Sequence, residues 1–315
     1  MGDPRQLWAV GPGGGFEALM ARFGDAVHVF DQNVRQRDPN ERLALDALRS
    51  GPVEAAVSWY GDAGRIGVSP DRDAALDAVV EGWAADVAEG RQAAMYAWRR
   101  ANVAELNQRG RAAWEALGRL SGPELVVGDA VYQAGDRIVA LAPGAHGEVV
   151  TSECSTVRAV DVARHELMAT MDDDGRTQRL AGVDLDASHL AHGYALTVHR
   201  AQGATVERAH ALEDSGGREL AYVKMSRAKE RSTVYAVADS LDQALEDLRW
   251  SWAQSRRIAW AIDSGTPTPH GDAPAPSPGR TPEVAASVRR ARLVAEREAL
   301  AAVIPADPGL AYSDA

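Results

Sequence analysis

Two stretches in the second half of the chain concentrate side chains suited to phosphate esters. In YALTVHRAQGATVERAH, Tyr194–His210, the apolar residues Tyr194, Leu196 and Val198 alternate as on a strand. Thr197, His199 and Gln202 sit between and beyond them, and each can donate to a sugar-phosphate backbone. Gly203 lets the chain turn close to a ligand. A single histidine on such a strand is usually a satisfied core residue, but the combination T-x-H-x-x-Q-G is uncommon. In ELAYVKMSRAKERSTVYAV, Glu219–Val237, a helix brings Tyr222 and Ser226–Arg227 together just before a strand. An arginine held at the start of that turn offers a transferring phosphoryl group a fixed positive charge.

Two further islands precede these. FDQNVRQRD, Phe30–Asp38, places two arginines and two glutamines after an apolar strand, and the fork of Arg35 suits a phosphate. GDPRQL, Gly2–Leu7, sets Gln6 where a carboxamide would meet a bound phosphate. Taken singly, an ordinary turn explains Gly2–Leu7, a solvated loop explains Phe30–Asp38, and a surface arginine explains Arg227.

The elements that must position these islands are mixed. Residues 1–65 read as α/β: a short helix Phe16–Phe23, a strand Ala26–Phe30, then a charged helix with Asp38 as N-cap and Gly51 as C-cap. Residues 73–120 are strongly helical, interrupted by a candidate strand, QAAMYAW, that ends at Trp98. From 125 to 189, short β-branched runs broken by Gly, Asp and Pro, with a tight turn at Asp173–Gly175, suggest a small β-barrel. Helical texture resumes near Leu241. A Pro-rich run at 264–282 reads as a disordered linker, and 283–304 as an amphipathic helix to which no chemistry is assigned.

Composition bounds the rest. The chain has 315 residues, 45% apolar and 25% charged, as in a soluble globular protein. Its net charge of −11 excludes a generally basic nucleic-acid binder but leaves room for a local basic groove. One cysteine, Cys154, rules out a disulfide framework or a Cys-rich metal site, and no metal site is expected. No signal peptide and no bilayer-spanning apolar run is found, so no membrane role and a cytoplasmic location are expected.

In this order, the four islands resemble motifs of the superfamily 1 helicases. The match is to the branch of the conjugative relaxase-helicases (MobF type) and the RecD subunit of exonuclease V. GDPRQL is similar to motif III, NVRQRD to motif IV, YALTVHRAQGATVERAH to motif V and ELAYVKMSRAKE to motif VI. The resemblance covers about residues 1–250. It implies a P-loop NTPase, AAA-class α/β fold of RecA-like domains with a UvrD-like C-terminal half. Residues 1–65 would be the tail of the first RecA-like domain, and 66–124 with 190–250 the second. Residues 125–189 would be an inserted SH3-like barrel.

The resemblance also implies roles. Gln6 would sense the γ-phosphate. Arg35 and Arg227 would lie on it, with Arg227 as the arginine finger, and Gly203 would belong to the nucleotide cleft. Thr197, His199 and Gln202 would face single-stranded DNA, as would Asn107, with Asn102 near it. Tyr222 and Ser226 would shape motif VI, and Lys224 departs from the small or apolar residue usual there.

One part of that machinery is missing. The only lysines, Lys224 and Lys229, follow Val223 and Ala228, so no G-x-x-x-x-G-K-[ST] loop is present, and the Gly-rich run at Gly11–Gly15 lacks both key residues. No apolar strand ends in Asp-Glu to hold Mg²⁺. The expectation is the C-terminal portion of an ATP-dependent helicase acting on single-stranded DNA, truncated or split and inactive alone. ATP and Mg²⁺ would bind only with a P-loop half supplied by an upstream-encoded chain. The alternative is a non-catalytic module that binds single strands or a partner.

Overall fold

Parallel strands cannot be joined by tight turns, so a sheet of them needs helical crossovers and is covered on both faces. The computed structural model describes residues 33–144 and 149–255. Gln6, the expected helix Phe16–Phe23, the strand Ala26–Phe30, the Pro-rich run and the C-terminal helix lie outside them. Helices α1 (Pro39–Ser50) and α2 (Val53–Asp62) lead into β1 (Ile66–Ser69), α3 (Arg72–Ala88), β2 (Ala93–Ala97) and α4 (Arg100–Ala116). After a β-rich stretch come β10 (Ala195–Thr197), β11 (Val206–Leu212), α5 (Gly217–Met225), β12 (Ala228–Val237) and α6 (Leu241–Ala253). The five strands pair parallel in the order β1-β12-β11-β2-β10.

The period-two alternation of strands sorts their side chains onto the two faces. Ala211 and Val234 enter a core with Leu45, Leu48, Val57, Tyr60, Leu220 and Trp252 from α1, α2, α5 and α6. The next residues, Leu212 and Tyr235, enter the opposite core with Leu76, Val79, Trp83 and Leu106 from α3 and α4. Helix α3 comes so close to the sheet that a Cβ on Gly82 would lie 2.1 Å from the Tyr235 hydroxyl. That hydroxyl and Asp86 hold the buried His210 ring, each at 2.8 Å.

Helix α1 begins and ends as its sequence predicts. The Asp38 carboxylate accepts from Asn40 N, Pro39 fills the first turn, and Gly51 N closes onto Ala47 O. The domain boundary expected after residue 65 is not where the described structure divides. Glu41, wholly buried on α1, accepts from Arg65 Nη1 at 2.7 Å and from Ser232 N of β12 at 3.1 Å. With Tyr60 of α2 in the same core as Val234 of β12, residues 39–65 are built into the layer over the parallel sheet. The motif resemblance assigns them to another domain, because motif order carries no information about which sheet a helix covers.

Between α4 and β10 the chain leaves the sheet. It forms β3 (Ser121–Val127), β4 (Ala130–Ala134), β5 (Arg137–Ala140), β6 (Cys154–Asp161), β7 (Glu166–Met171), β8 (Thr177–Ala181) and β9 (Leu190–His192). All pairings are antiparallel, as a β3-β4 hairpin and a sheet ordered β8-β7-β6-β5-β9. They share one core of Leu125, Tyr132, Ile138, Val157, Leu167 and Met171.

A single carboxylate joins this insertion to the main sheet. Asp136, wholly buried, accepts from Gln133 N at 2.7 Å, Arg111 Nε at 3.1 Å and the Tyr194 hydroxyl at 2.5 Å. Arg111 belongs to α4 and Tyr194 leads directly into β10. Trp114 Nε1 adds a bond to Gly135 O at 3.0 Å. Asp136→Ala strands Arg111 and Tyr194 in the interior and is expected to cost about 3–5 kcal/mol in urea denaturation. Arg179→Ala, at an exposed pair with Glu166, should cost less than about 1 kcal/mol.

Candidate functional site

In a parallel sheet every strand ends on the same edge. Strand β10 ends there with Thr197, level with Ala97 of β2. Strand β12 starts at the opposite edge, where Ala228 stands level with Val206 of β11. Ser226 and Arg227 therefore sit at the amino edge, and Thr197–His199 at the carboxyl edge. Residues 198–205 run from one edge to the other.

At the amino edge, two of the islands meet across nearly 200 residues of sequence. Arg35 Nη1 donates to Ser226 O at 2.6 Å. The buried Gln36 Nε2 donates to Ser226 O at 3.2 Å and to Ala228 O at 2.8 Å. Arg37 N continues the register to Lys229 O at 2.7 Å. Burial lowers the Arg35 pKa, partly countered by Tyr222 and Tyr96. No carboxylate pairs with Arg35 among the described residues.

Arg227 is buried. Its Nε donates to Val223 O at 2.9 Å, its Nη2 to Ser226 Oγ at 2.8 Å, and its Nη1 reaches Ala201 O at 3.5 Å. The Ala201 contact brings the third island to the same place. The Tyr96 hydroxyl, fully buried on β2, has no hydrogen-bond partner among the described residues. Burial raises its pKa, and the nearby charges of Arg227 and Arg35 act against that rise. The cluster thus holds two guanidiniums and a tyrosine hydroxyl, a set that suits an anionic ligand. Tyr96 and Gln36 are absent from the sequence reading. Gln36 had a signal in its place within NVRQRD, whereas Tyr96 had none.

At the carboxyl edge, Val198 N extends the ladder to Ala97 O, and the chain then turns twice, with Ala201 N on Thr197 O and Ala204 N on Ala201 O. Thr197 is half-buried and His199 exposed. Desolvation lowers the His199 pKa from 6.5, which leaves a neutral ring at physiological pH. Gln202 and Gly203 are exposed at the bend, where Gly203 has φ +94° and open space around it, the left-handed conformation glycine adopts without strain.

Asn107 corrects the sequence reading. It is buried rather than presented to a ligand. Its Nδ2 donates to Ala195 O at 3.1 Å and its Oδ1 accepts from Ala195 N at 2.9 Å. Strand β10 is the last of its sheet, so its outward backbone groups need partners, and Asn107 supplies them. Asn102 is likewise held inside, donating to Asp214 and accepting from Arg72.

Lys224, the departure from the motif VI pattern, is a buried hub. Its Nζ donates to Leu212 O at 2.9 Å and Glu213 Oε2 at 3.3 Å, and lies 3.8 Å from Asp214. Asp214 accepts from Trp98 N and Arg99 N, fixing the start of α4. Burial alone would raise the Glu213 pKa, but the Lys224 charge and the bonds from Trp252 and Ser251 bring it below 4.5.

Comparison with known proteins gives matches of three kinds. Residues 1–71 match the AAA domain family. The conjugal transfer protein TraA of Rhizobium radiobacter is 30% identical over 239 residues, 75% of this chain and 21% of that protein. A probable TraA of Sinorhizobium fredii is 30% identical over 247 residues, 76% and 22% of the two chains. The chain thus spans about a fifth of the length of these relatives. Among solved structures, the Bacteroides Pif1 helicase in complex with ADP-AlF3 and ssDNA gives a TM-score of 0.45 at 15% identity, covering 76% of this chain and 61% of that one. The fold is a mixed α/β one, a five-stranded parallel sheet with an antiparallel insertion. Over three quarters of its length the chain is similar to conjugal transfer TraA proteins, and its first 71 residues match the AAA domain family.

The lowered Glu213 pKa fixes a pH dependence. Its contribution to stability is complete above about pH 4.5, the unfolded value, and is lost as pH falls through the lower folded value. Lys224→Met removes the main charge holding it down. The variant should be less stable at neutral pH and lose less on acidification, read by thermal denaturation across that window.

Proposed function

We propose that this chain is the strand-holding and arginine-donating part of an ATP-dependent translocase of relaxase-helicase type on single-stranded DNA. The observation that carries this reading is the single turn 198–205, which ends a strand at Thr197–His199 and reaches Arg227 through Ala201. In it, Thr197, the neutral His199 and Gln202 hold the sugar-phosphate backbone at the carboxyl edge. Arg35 and Arg227 offer positive charge to a nucleotide γ-phosphate at the amino edge, and movement of the turn between them links the two sites.

The sequence has no P-loop lysine, and the described residues hold no group of three or more His, Cys, Asp or Glu placed for a metal. The reading leaves phosphate gripping and the metal to a P-loop half outside this chain. The chain alone is then a strand-binding module without turnover. Among the described residues, no helix is long and apolar enough to cross a membrane.

ATP hydrolysis by the isolated chain with single-stranded DNA present should not exceed background. Turnover abolished by Arg227→Ala would overturn that part of the reading. Fluorescence anisotropy should show strand binding, weakened by Thr197→Ala with His199→Ala by about 1–3 kcal/mol for the lost hydrogen bonds. Unchanged affinity would remove Thr197 and His199 from the contact surface.

A further inference from the structure

The antiparallel insertion is open at one end of its core. Ala140, the last residue of β5, pairs with Leu190, the first of β9. With Val149, Met171 and Leu180 they line a hollow that opens to solvent. The space at its centre is about 20 Å³, room for one water-sized group and far too small for a nucleotide or a cofactor.

The floor of the hollow is apolar, but its wall is not. Glu153, Ser155, Asp184 and His189 line the same space. Alternation along β6 turns Ser155 inward with Val157, and Ser155 is 3% exposed. Its hydroxyl borders the hollow and has no hydrogen-bond partner among the described residues. A buried hydroxyl left so is unfavourable until a ligand atom meets it. The Glu153 carboxylate is held in place, accepting from Val150 N at 3.0 Å and from Arg176 Nη2 at 2.6 Å. Asp184 Oδ1 leans over Gly144, 3.5 Å from where a Cβ would stand.

The surroundings select the sign of the ligand. Residues 121–192 hold twelve Asp and Glu, five Arg and no Lys, a net charge of −7. Such a surface draws cations and repels nucleic-acid phosphates. Val150 and Val183, the chain neighbours of Val149 and Asp184, are 62% and 49% exposed and offer apolar contact beside the opening.

We propose that this hollow receives a lysine side chain presented by a basic segment of a partner protein. The aliphatic stem lies along Val149, Leu180 and Leu190, as lysine stems do on apolar surface. The ammonium donates to Ser155 Oγ and to the Glu153 and Asp184 carboxylates, which uses its three protons. A planar guanidinium is too broad for a space of about 20 Å³, so the site prefers lysine to arginine. The inference is independent of the strand-binding reading above.

The test is anisotropy of labelled peptides of equal length against the full chain, one alternating lysine with alanine and one arginine with alanine. Circular dichroism melts confirm that each variant folds. The lysine peptide should bind the more tightly at every salt concentration. Ser155→Ala removes one hydrogen bond to a charged group and should weaken its binding about tenfold. Ser155→Val, whose added methyl occupies the hollow, should weaken it at least as much. Both variants should bind labelled oligothymidylate as the wild type does, so this inference and the strand-binding reading stand or fall separately.

Equal affinity for the two peptides, or unchanged affinity in Ser155→Ala, would overturn the inference and leave only diffuse attraction to an acidic surface. Tighter binding of a leucine–alanine peptide would assign the hollow to an apolar side chain and overturn the lysine. Of this chain's own lysines, Lys224 is buried and Lys229 exposed. Concentration-dependent self-association lost in Lys229→Ala would make a second copy the occupant, and overturn the separate partner.

Discussion

One backbone carbonyl organises the amino edge of this protein. Ser226 O stands where α5 gives way to β12, a point at which a helix leaves its last carbonyls without intrahelical partners. It accepts from both Arg35 and Gln36, so the segment before α1 is tied to the turn that carries Arg227. Arg227 is in turn held by carbonyls of α5 and of the 198–205 turn. Three islands far apart in sequence share a site because they satisfy one another's backbone groups.

Buried charge does the corresponding work elsewhere. Glu41 with Arg65 anchors α1 to β12, Asp136 with Arg111 and Tyr194 anchors the insertion to α4 and β10, and Lys224 with Glu213 and Asp214 anchors α5 to the start of α4. Each set takes ions out of water and returns hydrogen bonds, so each is costly to break at one partner. Together they fix the angles between layers that apolar packing alone leaves adaptable.

The legible parts of the sequence were those with local causes. Asp38, Pro39 and Gly51 set the limits of α1; the alternation of Tyr194, Leu196 and Val198 marks a strand; and the T-x-H-x-x-Q-G spacing marks a turn. Asn107 misled because its carboxamide has the same chemistry whether it meets a ligand or an edge strand. Lys224 departs from the motif pattern because, once buried, a lysine demands acidic partners. Its partners, Glu213 and Asp214, follow the end of β11 while Lys224 lies on α5, and no local rule connects them.

The sequence by itself determined the order of the islands, the alternation of helix and strand behind a parallel sheet, and the absence of a P-loop lysine. Each of these is written in residue type and spacing along the chain. Only the tertiary structure decided that residues 39–65 cover the same sheet as α5 and α6, that Tyr96 faces Arg35 and Arg227, and that Asn107 serves the strand rather than the surface. Those outcomes depend on which elements share an edge or a face. That is set by the pairing register of strands and the burial of charged partners from distant parts of the chain, contacts to which local spacing is blind.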